Sequence, residues 1–433
     1  MIIDFSVKNF RSFRDEQKLS FVASNYDKDL PQNLIDPALH GLDGVKLLKA
    51  VGIYGANAAG KSNLLKALAF LEQFVLHSAT KLNEGDKTGV EPFALSYETF
   101  DEPSEFVLRF VVEGVRYHFA LIVNPERVLF ERLSAFPEGV ERVYYERSWD
   151  EGSESYEWEP KRPVGFKRDP KLVEYTRSNA LYLSTAAKWN NQDVAPIYRW
   201  FLLQLGFLHV NLDFAMSTEG TVHYLRSGKS QADSVMRALK SADLGLTSVQ
   251  ARERETTKKD RPVNASPSLY ERLFAERPIM EIHFSHRGYQ GDNYHLPWDD
   301  ESSGTQKFFT LIGPWLNVLD SGSVACVDEI ESSMHPLMVF ELLKLVFDPE
   351  ANQKNAQILF TTHNPLLLDP TLLRRDQIWF ADKDEEGATH LYPLTDYKPR
   401  KGESLVRGYL AGRYGGIPFI PDGLLGKEEE HGG

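Results

Sequence analysis

Eight consecutive residues decide the fold of this chain: Gly55-Ala56-Asn57-Ala58-Ala59-Gly60-Lys61-Ser62. The apolar run Ala50 to Tyr54 comes directly before them and predicts a buried strand. Apolar residues at helical spacing follow and predict a helix, at Leu64, Leu68, Leu71 and Val75. A glycine-rich loop between a strand and a helix is typical of a P-loop, because its backbone N–H groups and the positive end of the helix dipole both attract phosphate oxygens. The stretch therefore predicts a phosphate-binding site in an α/β protein.

The residue types in this loop have separate predicted roles. Lys61 is predicted to reach the β- and γ-phosphates, which makes it a binding and a catalytic residue. The Ser62 hydroxyl is predicted to ligate Mg²⁺. Backbone groups of the loop and of the next residue complete the predicted nucleotide contacts. The full predicted set is Gly55, Ala56, Asn57, Ala58, Ala59, Gly60, Lys61, Ser62 and Asn63.

The composition narrows the class of protein. The chain has 433 residues, 42% of them hydrophobic, which predicts one large or two ordinary globular domains. A net charge of −13 argues against a protein coated by nucleic acid, although a local basic groove stays open. The single cysteine, Cys326, excludes an internal disulfide framework and fits a reducing, cytoplasmic location. No apolar run reaches membrane-spanning length, and Met1–Phe5 lacks a signal-peptide pattern, so we expect no membrane partner.

A second apolar strand ends in two adjacent carboxylates. The run from Ser323 to Val327 is followed by Asp328 and Glu329. In a chain with a P-loop, Asp328 is expected to hold the Mg²⁺ shell, and Glu329 to orient and deprotonate an attacking water. The alternative is a strand that simply exits into an acidic turn. Cys326 lies within this strand and is predicted to be a buried core residue rather than a reactive thiol.

Two further segments join polar residues to apolar elements. Ser302-Ser303-Gly304 precedes an amphipathic helix, and small hydroxyls with a glycine at a helix start form an anion site. Taken alone, an ordinary N-cap is the better interpretation of this segment. The strand from Gln357 to Phe360 leads to His363, and a histidine at a strand end can hydrogen-bond a γ-phosphate. A lone histidine is more often structural, but the shared strand-end setting favours a role for His363.

The remaining segments predict β-strands after the P-loop helix, and helices alternating with polar loops further along the chain. Alternating residues on both sides of Glu113-Gly114 predict a β-hairpin within a meander. Helices are predicted at 194–205 and 230–239. The charged stretch Arg252–Arg261 favours a solvated connector over a DNA-facing loop. Asp382-Lys383-Asp384 imitates a metal-binding pair, but a hairpin turn at 384–387 is the plainer interpretation.

Four of these motifs, in this order, resemble the Walker A, signature, Walker B and switch-histidine motifs of ABC-type ATPases. They are Gly55–Ser62, Ser302–Gln306, Ser323–Glu329 and Thr361–His363. The opening Lys8–Phe13 looks like the N-terminal strand of the SMC/RecF/OLD branch of these ATPases. Gly408–Pro418 resembles a C-terminal feature of the RloA-like and abortive-infection ATPases in that branch. That subgroup includes the ATPase partners of anti-phage systems such as PARIS.

The resemblance implies a fold and a mode of assembly. The fold would be a P-loop NTPase: an ABC-type ATPase head with an antiparallel β subdomain and a helical insert. The N-terminal lobe would span residues 1–165, the mostly helical insert 166–296 and the C-terminal lobe 297–433. Two heads would enclose two ATP molecules with Mg²⁺, each ATP touching the P-loop of one chain and Ser302, Ser303 and Gly304 of the other. A homo-oligomer, a dimer or a multiple of dimers, is therefore expected.

The resemblance also implies a role, with alternatives. The favoured hypothesis is an ATPase that controls a separate effector, a Toprim or HNH nuclease or a toxin, in anti-phage defence. A phage protein or DNA would be the trigger, and this chain would not cut nucleic acid itself. The alternatives are a RecF-like repair ATPase and an ATP-assembled scaffold with little turnover. A transporter ATPase fits poorly, because the signature has Ser-Ser-Gly-Thr-Gln in place of Leu-Ser-Gly-Gly-Gln.

Overall fold

The computed structural model describes residues 1–208, 214–242, 245–254, 279–332 and 334–417. The chain divides into two compact units. The first contains Met1–Phe207, Ser323–Asp328 and the chain from Gln357 onward, and the second contains Leu208–Gly322 and Glu329–Ala356. The three-part division at 165 and 296 stays a prediction.

The first unit contains two large sheets. One is an antiparallel sheet of seven strands in the order β10-β9-β8-β7-β6-β1-β2. Its strands are β1 (Ile2–Lys8), β2 (Gln17–Ser20), β6 (Ser104–Val112), β7 (Val115–Val123), β8 (Val128–Phe136), β9 (Arg142–Asp150) and β10 (Ser155–Glu159). The predicted hairpin at Glu113-Gly114 is confirmed as the turn between β6 and β7. A short pair, β3 (Leu34–Ile35) and β4 (Leu47–Leu48), lies outside both large sheets.

The second sheet has six strands in the order β11-β15-β16-β5-β17-β18. Its strands are β5 (Ala50–Tyr54), β11 (Leu205–Leu208), β15 (Val324–Val327), β16 (Gln357–Thr362), β17 (Ile378–Lys383) and β18 (Thr389–Pro393). The four central strands are mutually parallel, whereas β18 returns antiparallel to β17. The predicted strand Ala50–Tyr54 is confirmed, and it is buried along its whole length because it lies inside a parallel sheet.

The described part of the first unit contains six α-helices. They are α1 (Lys61–Lys81), α2 (Tyr97–Phe100), α3 (Pro170–Tyr175), α4 (Tyr182–Lys188), α5 (Ala195–Gln204) and α10 (Leu405–Leu410). Helix α1 follows the P-loop, and the predicted apolar positions along it are buried. Its Phe70 packs against Phe10 and Phe106, at ring-centroid distances of 5.8 and 5.2 Å. These contacts anchor the helix that starts at the P-loop onto the antiparallel sheet.

The second unit combines helices with a small antiparallel sheet. Its described elements are α6 (Phe214–Ser227), α7 (Lys229–Ser241), α8 (Ser303–Ser321), α9 (Pro336–Phe347), β12 (Leu246–Arg254), β13 (Ile279–Arg287) and β14 (Asn293–Pro297). Helix α6 is tied to α8 by Thr221, whose Oγ1 donates to the Phe309 carbonyl and accepts from Gly313 N. The segment predicted to be mostly helical therefore also contains a three-stranded sheet.

Of two other segments, one contains a strand that the sequence does not predict and the other is a turn that it does predict. The polar stretch 150–161 contains β10, an edge strand in which Tyr156 and Trp158 alternate with exposed polar residues. The alternation is confined to five residues of an acidic segment, where we predict no strand. The turn at 384–387 is confirmed as the connection between β17 and β18, with Asp384 N donating to the Ala388 carbonyl at 3.0 Å. Residues 255–261 of the charged stretch lie outside the described residues.

Candidate nucleotide-binding site

The P-loop lies at the carboxyl ends of neighbouring parallel strands. Strand β16 pairs with β15 on one side and with β5 on the other. Asp328 follows β15, Thr361 lies near the end of β16, and the P-loop follows β5. In open α/β sheets, ligands bind outside the carboxyl ends of the strands. The sheet therefore gathers these polar groups at the edge where a ligand is expected.

Lys61 is the first residue of α1, and its ammonium lies within the loop. Nζ donates to the carbonyl oxygens of Gly55 and Ala56, each at 2.9 Å. The side chain is buried, with 6% of its surface exposed. A phosphate oxygen carries more negative charge than a carbonyl and forms stronger hydrogen bonds with an ammonium group. The Lys61 ammonium is thus suited to binding a phosphate.

Gly60 must be a glycine because neighbouring side chains close around it. Its φ of +95° is left-handed, and an added Cβ would lie 2.1 Å from Thr389 Oγ1 and 2.8 Å from Ser12 Oγ. Ser12 Oγ accepts from Asn63 Nδ2 at 2.7 Å, and Thr389 Oγ1 donates to the Ala59 carbonyl at 3.0 Å. Two residues far away in the sequence therefore hold the P-loop at its helix end.

The sequence does not predict that Ser12 and Thr389 contact the P-loop. Ser12 lies within the N-terminal motif Lys8–Phe13, but nothing in its spacing assigns it to the P-loop. Thr389 belongs to β18 and carries no motif of its own. Thr361 lies within the Thr361–His363 motif, and the motif does not predict its hydrogen bond to Asp328.

Asp328, which follows β15, forms hydrogen bonds with the P-loop and with β16. Its Oδ1 accepts from Ser62 Oγ at 2.9 Å and from Thr361 Oγ1 at 2.6 Å. Mg²⁺ prefers hard oxygen ligands and is commonly held by one carboxylate and a P-loop hydroxyl beside substrate phosphates. Ser62 and Asp328 supply that donor set at contact distance. The residues present thus fit Mg²⁺, with Ser62 and Asp328 as the groups that would hold it and neutralise phosphate charge.

Glu329 follows Asp328 in the chain and belongs to the second unit, whereas His363 follows β16 in the first unit. Glu329 has a φ of +49°, a left-handed conformation that is uncommon outside glycine. Its carbonyl accepts from Ser332 N at 2.8 Å, which fixes the start of a turn. Backbone outliers of this kind concentrate at functional sites. His363 lies just beyond β16 with an exposed side chain, and the short 3₁₀ helix Pro365–Leu367 follows it.

The segment Ser302–Gly304 belongs to the second unit and starts α8. Ser302 is the N-cap, because its Oγ accepts from Thr305 N at 3.1 Å. Both serines are exposed. The residues around them are fixed: His286 Nε2 lies 2.5 Å from Glu301 Oε1, and Gln306 Nε2 donates to the Trp298 carbonyl at 2.7 Å. The N-cap alternative therefore describes Ser302, while the anion-binding role of the segment stays a prediction.

The acidic pair at 382 and 384 has other contacts. Asp384 Oδ1 accepts from Glu386 N and Ala388 N of the hairpin turn. A hydrogen bond from His390 holds the pKa of the Asp384 carboxyl below its usual value. Asp382 Oδ2 accepts from Gly416 N at 3.1 Å. Within the described ranges, no three His, Cys, Asp or Glu side chains are grouped to hold a metal ion.

Two other predictions from composition concern Cys326 and membranes. Cys326 is buried, and burial raises the pKa of its thiol well above the usual value, so the thiol stays protonated. This agrees with its interpretation as a core residue. In the part of the chain that the structure describes, no helix has both the length and the apolar character needed to span a bilayer.

Fold and site together define a P-loop NTPase. Residues 50–369 match the family model described as "AAA domain, putative AbiEii toxin, Type IV TA system". The match covers the P-loop, the signature segment, both carboxylates and His363, and it spans most of the chain. The chain therefore belongs to this family of AAA/ABC-type ATPases related to abortive infection, and membership supports ATP binding and hydrolysis.

Other comparisons add little. A solved structure with similarity is that of cbiO1 from Clostridium perfringens, described as part of the ABC transporter complex cbiONQ. It shows 10% identity and a TM-score of 0.28, over 92% of this chain and 90% of that chain. Similarity at this level carries no argument about this protein. No curated protein shows significant sequence similarity to the chain.

Proposed function

We propose that this chain is a Mg²⁺-dependent ATPase whose heads dimerise around ATP to control a separate effector in anti-phage defence. One observation carries the ATPase part of the proposal. Ser62 and Thr361 converge on a single oxygen of Asp328, at 2.9 and 2.6 Å, and the residue before Ser62 is Lys61, whose ammonium lies within the P-loop. That arrangement supports a divalent-cation site together with a positive charge, the two features that phosphoryl transfer needs for charge neutralisation.

Hydrolysis would use the residues that follow the two strands. Glu329 would orient the attacking water and accept its proton, because a carboxylate at this place is a suitable general base. His363 would hydrogen-bond the γ-phosphate. The chain's contribution is thus positioning and electrostatics, with little covalent chemistry.

The proposed dimer rests on the signature segment. Ser302 and Ser303 are exposed at the start of α8, where hydroxyls, backbone N–H groups and the helix dipole favour an anion. In the proposed assembly these groups contact the ATP held by the P-loop of a second chain. ATP then stabilises the closed dimer, and hydrolysis releases it.

The proposal of a separate effector rests on two grounds. One is family membership, and the other is that an ATPase of this kind needs a second protein through which to act. The family description names a toxin and a toxin–antitoxin system, which supports a role in controlling a harmful activity. Toprim nucleases, HNH nucleases and toxins are the effector classes proposed. A phage protein or DNA is the proposed trigger, and a cytoplasmic location follows from these partners.

Steady-state phosphate release separates this proposal from its alternatives. An ATPase that switches an effector should turn over and change its rate with trigger or effector. A scaffold should bind ATP and assemble with almost no turnover. A RecF-like repair ATPase should be stimulated by DNA alone, without any effector.

Lys61→Ala tests the nucleotide site itself. The substitution removes the ammonium that is expected to bind the β- and γ-phosphates, and charge-assisted bonds contribute about 1.5–3 kcal/mol each. We expect ATP affinity, measured by calorimetry, to fall at least about 100-fold. Lys66→Ala, at an exposed position of the same helix, is the matched control. Unchanged affinity in Lys61→Ala would show that the P-loop assignment is wrong.

A further inference from the structure

The segment Gly408–Ile417, which the proposed function leaves unused, packs against the strand next to the P-loop strand. Tyr409 and Tyr414 are buried, with 4% and 0% of their surfaces exposed. Both rings stack on Phe380 of β17, at centroid distances of 5.6 and 5.8 Å and interplanar angles of 15° and 22°. Strand β17 pairs in parallel with β5, the strand that leads into the P-loop. The segment is thus part of the core beside the nucleotide site.

Gly416 brings this segment to the first residue of the P-loop. Its N–H donates to Asp382 Oδ2 at 3.1 Å, and its carbonyl accepts from Tyr409 Oη at 2.9 Å. A Cβ added at Gly416 would lie 3.5 Å from Gly55 Cα, and φ here is +65°. Gly55 in turn presents its carbonyl to Lys61 Nζ. Gly416 is therefore bonded to Asp382 and neighbours Gly55, which in turn contacts Lys61.

The same segment also reaches the turn that follows His363. Helix α10, which contains Tyr409, packs against the 3₁₀ helix Pro365–Leu367. That turn is fixed by Asn364, whose Oδ1 accepts from Leu366 N at 3.0 Å. One short segment thus contacts both places where the first unit is expected to meet the phosphates.

We propose that Asp382 and the segment Tyr409–Gly416 form a positioning element that couples this end of the chain to the nucleotide site. The inference rests on the proposed ATP binding at the P-loop. The element holds Gly55 and the turn after His363 in place, so phosphate binding at the loop orders the element. By linkage, an ordered element strengthens nucleotide binding by the same factor. Asp382 is a positioning residue, since it acts through Gly416.

Hydrogen exchange of the wild-type chain tests the coupling without any substitution. Exchange at backbone amides reports local opening. A non-hydrolysable ATP analogue should slow exchange across residues 405–417 about fivefold or more, the low end of typical couplings between sites. The analogue should have no such effect in Lys61→Ala. Calorimetry on the same samples reports whether the analogue binds.

Substitutions of Asp382 and Tyr409, the two hydrogen-bond partners of Gly416, test whether the coupling passes through Gly416. Asp382→Ala should weaken analogue binding by about fivefold and abolish the protection, whereas Asp382→Asn, which keeps an acceptor oxygen, should restore both. Glu385→Ala, at an exposed position of the same hairpin, is the matched control. Tyr409→Phe keeps the stacked ring and removes the bond to Gly416, so it should act in the same direction. Its control is Tyr289→Phe, at a fully exposed position.

The outcomes separate the two proposals. Binding of the analogue without protection of residues 405–417 would overturn the coupling and leave the ATPase proposal standing. Wild-type affinity in both Asp382→Ala and Tyr409→Phe would overturn it as well. Failure of the wild-type chain to bind the analogue would overturn the proposed function and the coupling together.

Discussion

Glu329 carries the chemical step in the proposed function, and one substitution tests it. Glu329→Gln preserves the shape of the side chain but cannot accept the proton of a water molecule. We expect ATP to remain bound while phosphate release falls by about 100-fold or more, the range for loss of a general base. The expected consequence is an ATP-stabilised dimer or larger assembly, visible by light scattering. Glu331→Gln, in the same turn, is the control, and a normal rate in Glu329→Gln would exclude Glu329 as the base.

Glu72 gives a pH-dependent prediction at the residue scale. This side chain lies buried on α1, and burial raises the pKa of its carboxyl above the usual value. A raised carboxyl pKa means that the folded state binds the proton more tightly, so the buried charge destabilises the fold as pH rises above about 4.5. Glu72→Gln should therefore increase the free energy of unfolding at pH 7. The gain should disappear near pH 4, where the carboxyl is protonated in both states.

Chemical unfolding of the two proteins at pH 4 and pH 7 measures this difference. Lys66→Gln, an exposed position on the same helix, serves as the control for a change of charge. A gain of equal size at both pH values would show that the carboxyl charge is not its cause.

At the scale of elements, one buried carboxylate joins the antiparallel sheet to α4. Glu131 is fully buried, and its carboxylate accepts from Tyr145 Oη at 2.7 Å and Arg147 Nε at 2.9 Å. It also accepts from the N–H groups of Tyr182 and Leu183, so a side chain of β8 caps the first turn of α4. This contact fixes a helix that packs against α1, the P-loop helix.

Glu131→Ala should destabilise the chain strongly. The substitution leaves the Arg147 charge buried beside unsatisfied N–H donors, and breaking such a pair costs about 3–5 kcal/mol. The free energy of unfolding in urea measures the loss. Glu146→Ala is the matched control, because it breaks the half-exposed pair with Arg132 in the same sheet and should cost under about 1 kcal/mol. Equal losses in the two variants would contradict this account.

At the scale of the whole molecule, the proposed dimer makes a complementation prediction. Gly304→Arg should leave ATP binding by a single chain nearly intact, but the long side chain should prevent closure of two heads. A mixed dimer of Gly304→Arg and Lys61→Ala chains retains one composite site with both elements intact. Mixing the two inactive proteins should therefore restore part of the ATPase rate. No recovery over a range of mixing ratios would argue against a shared site.

The sequence by itself determined the class of protein and predicted which residues bind the nucleotide. The P-loop, the strand before it and the carboxylates after β15 are local patterns, because each depends on residues that are neighbours in the chain. The β6–β7 hairpin was predictable for the same reason, since alternation and a glycine turn act over a few residues. Ser62 and Asp328 were both predicted as Mg²⁺ ligands from motif chemistry, although 266 positions separate them.

The tertiary structure decided which distant groups complete the site. Ser12 and Thr389 enclose Gly60 although they lie 377 positions apart, and no spacing rule connects them. The sequence also placed Asp382 in a turn beside Asp384, whereas its carboxylate holds Gly416 near the P-loop. In each case the packing of the folded chain decides which distant residues come into contact. Local residue patterns do not predict such contacts, because they reflect only residues that are neighbours in the sequence.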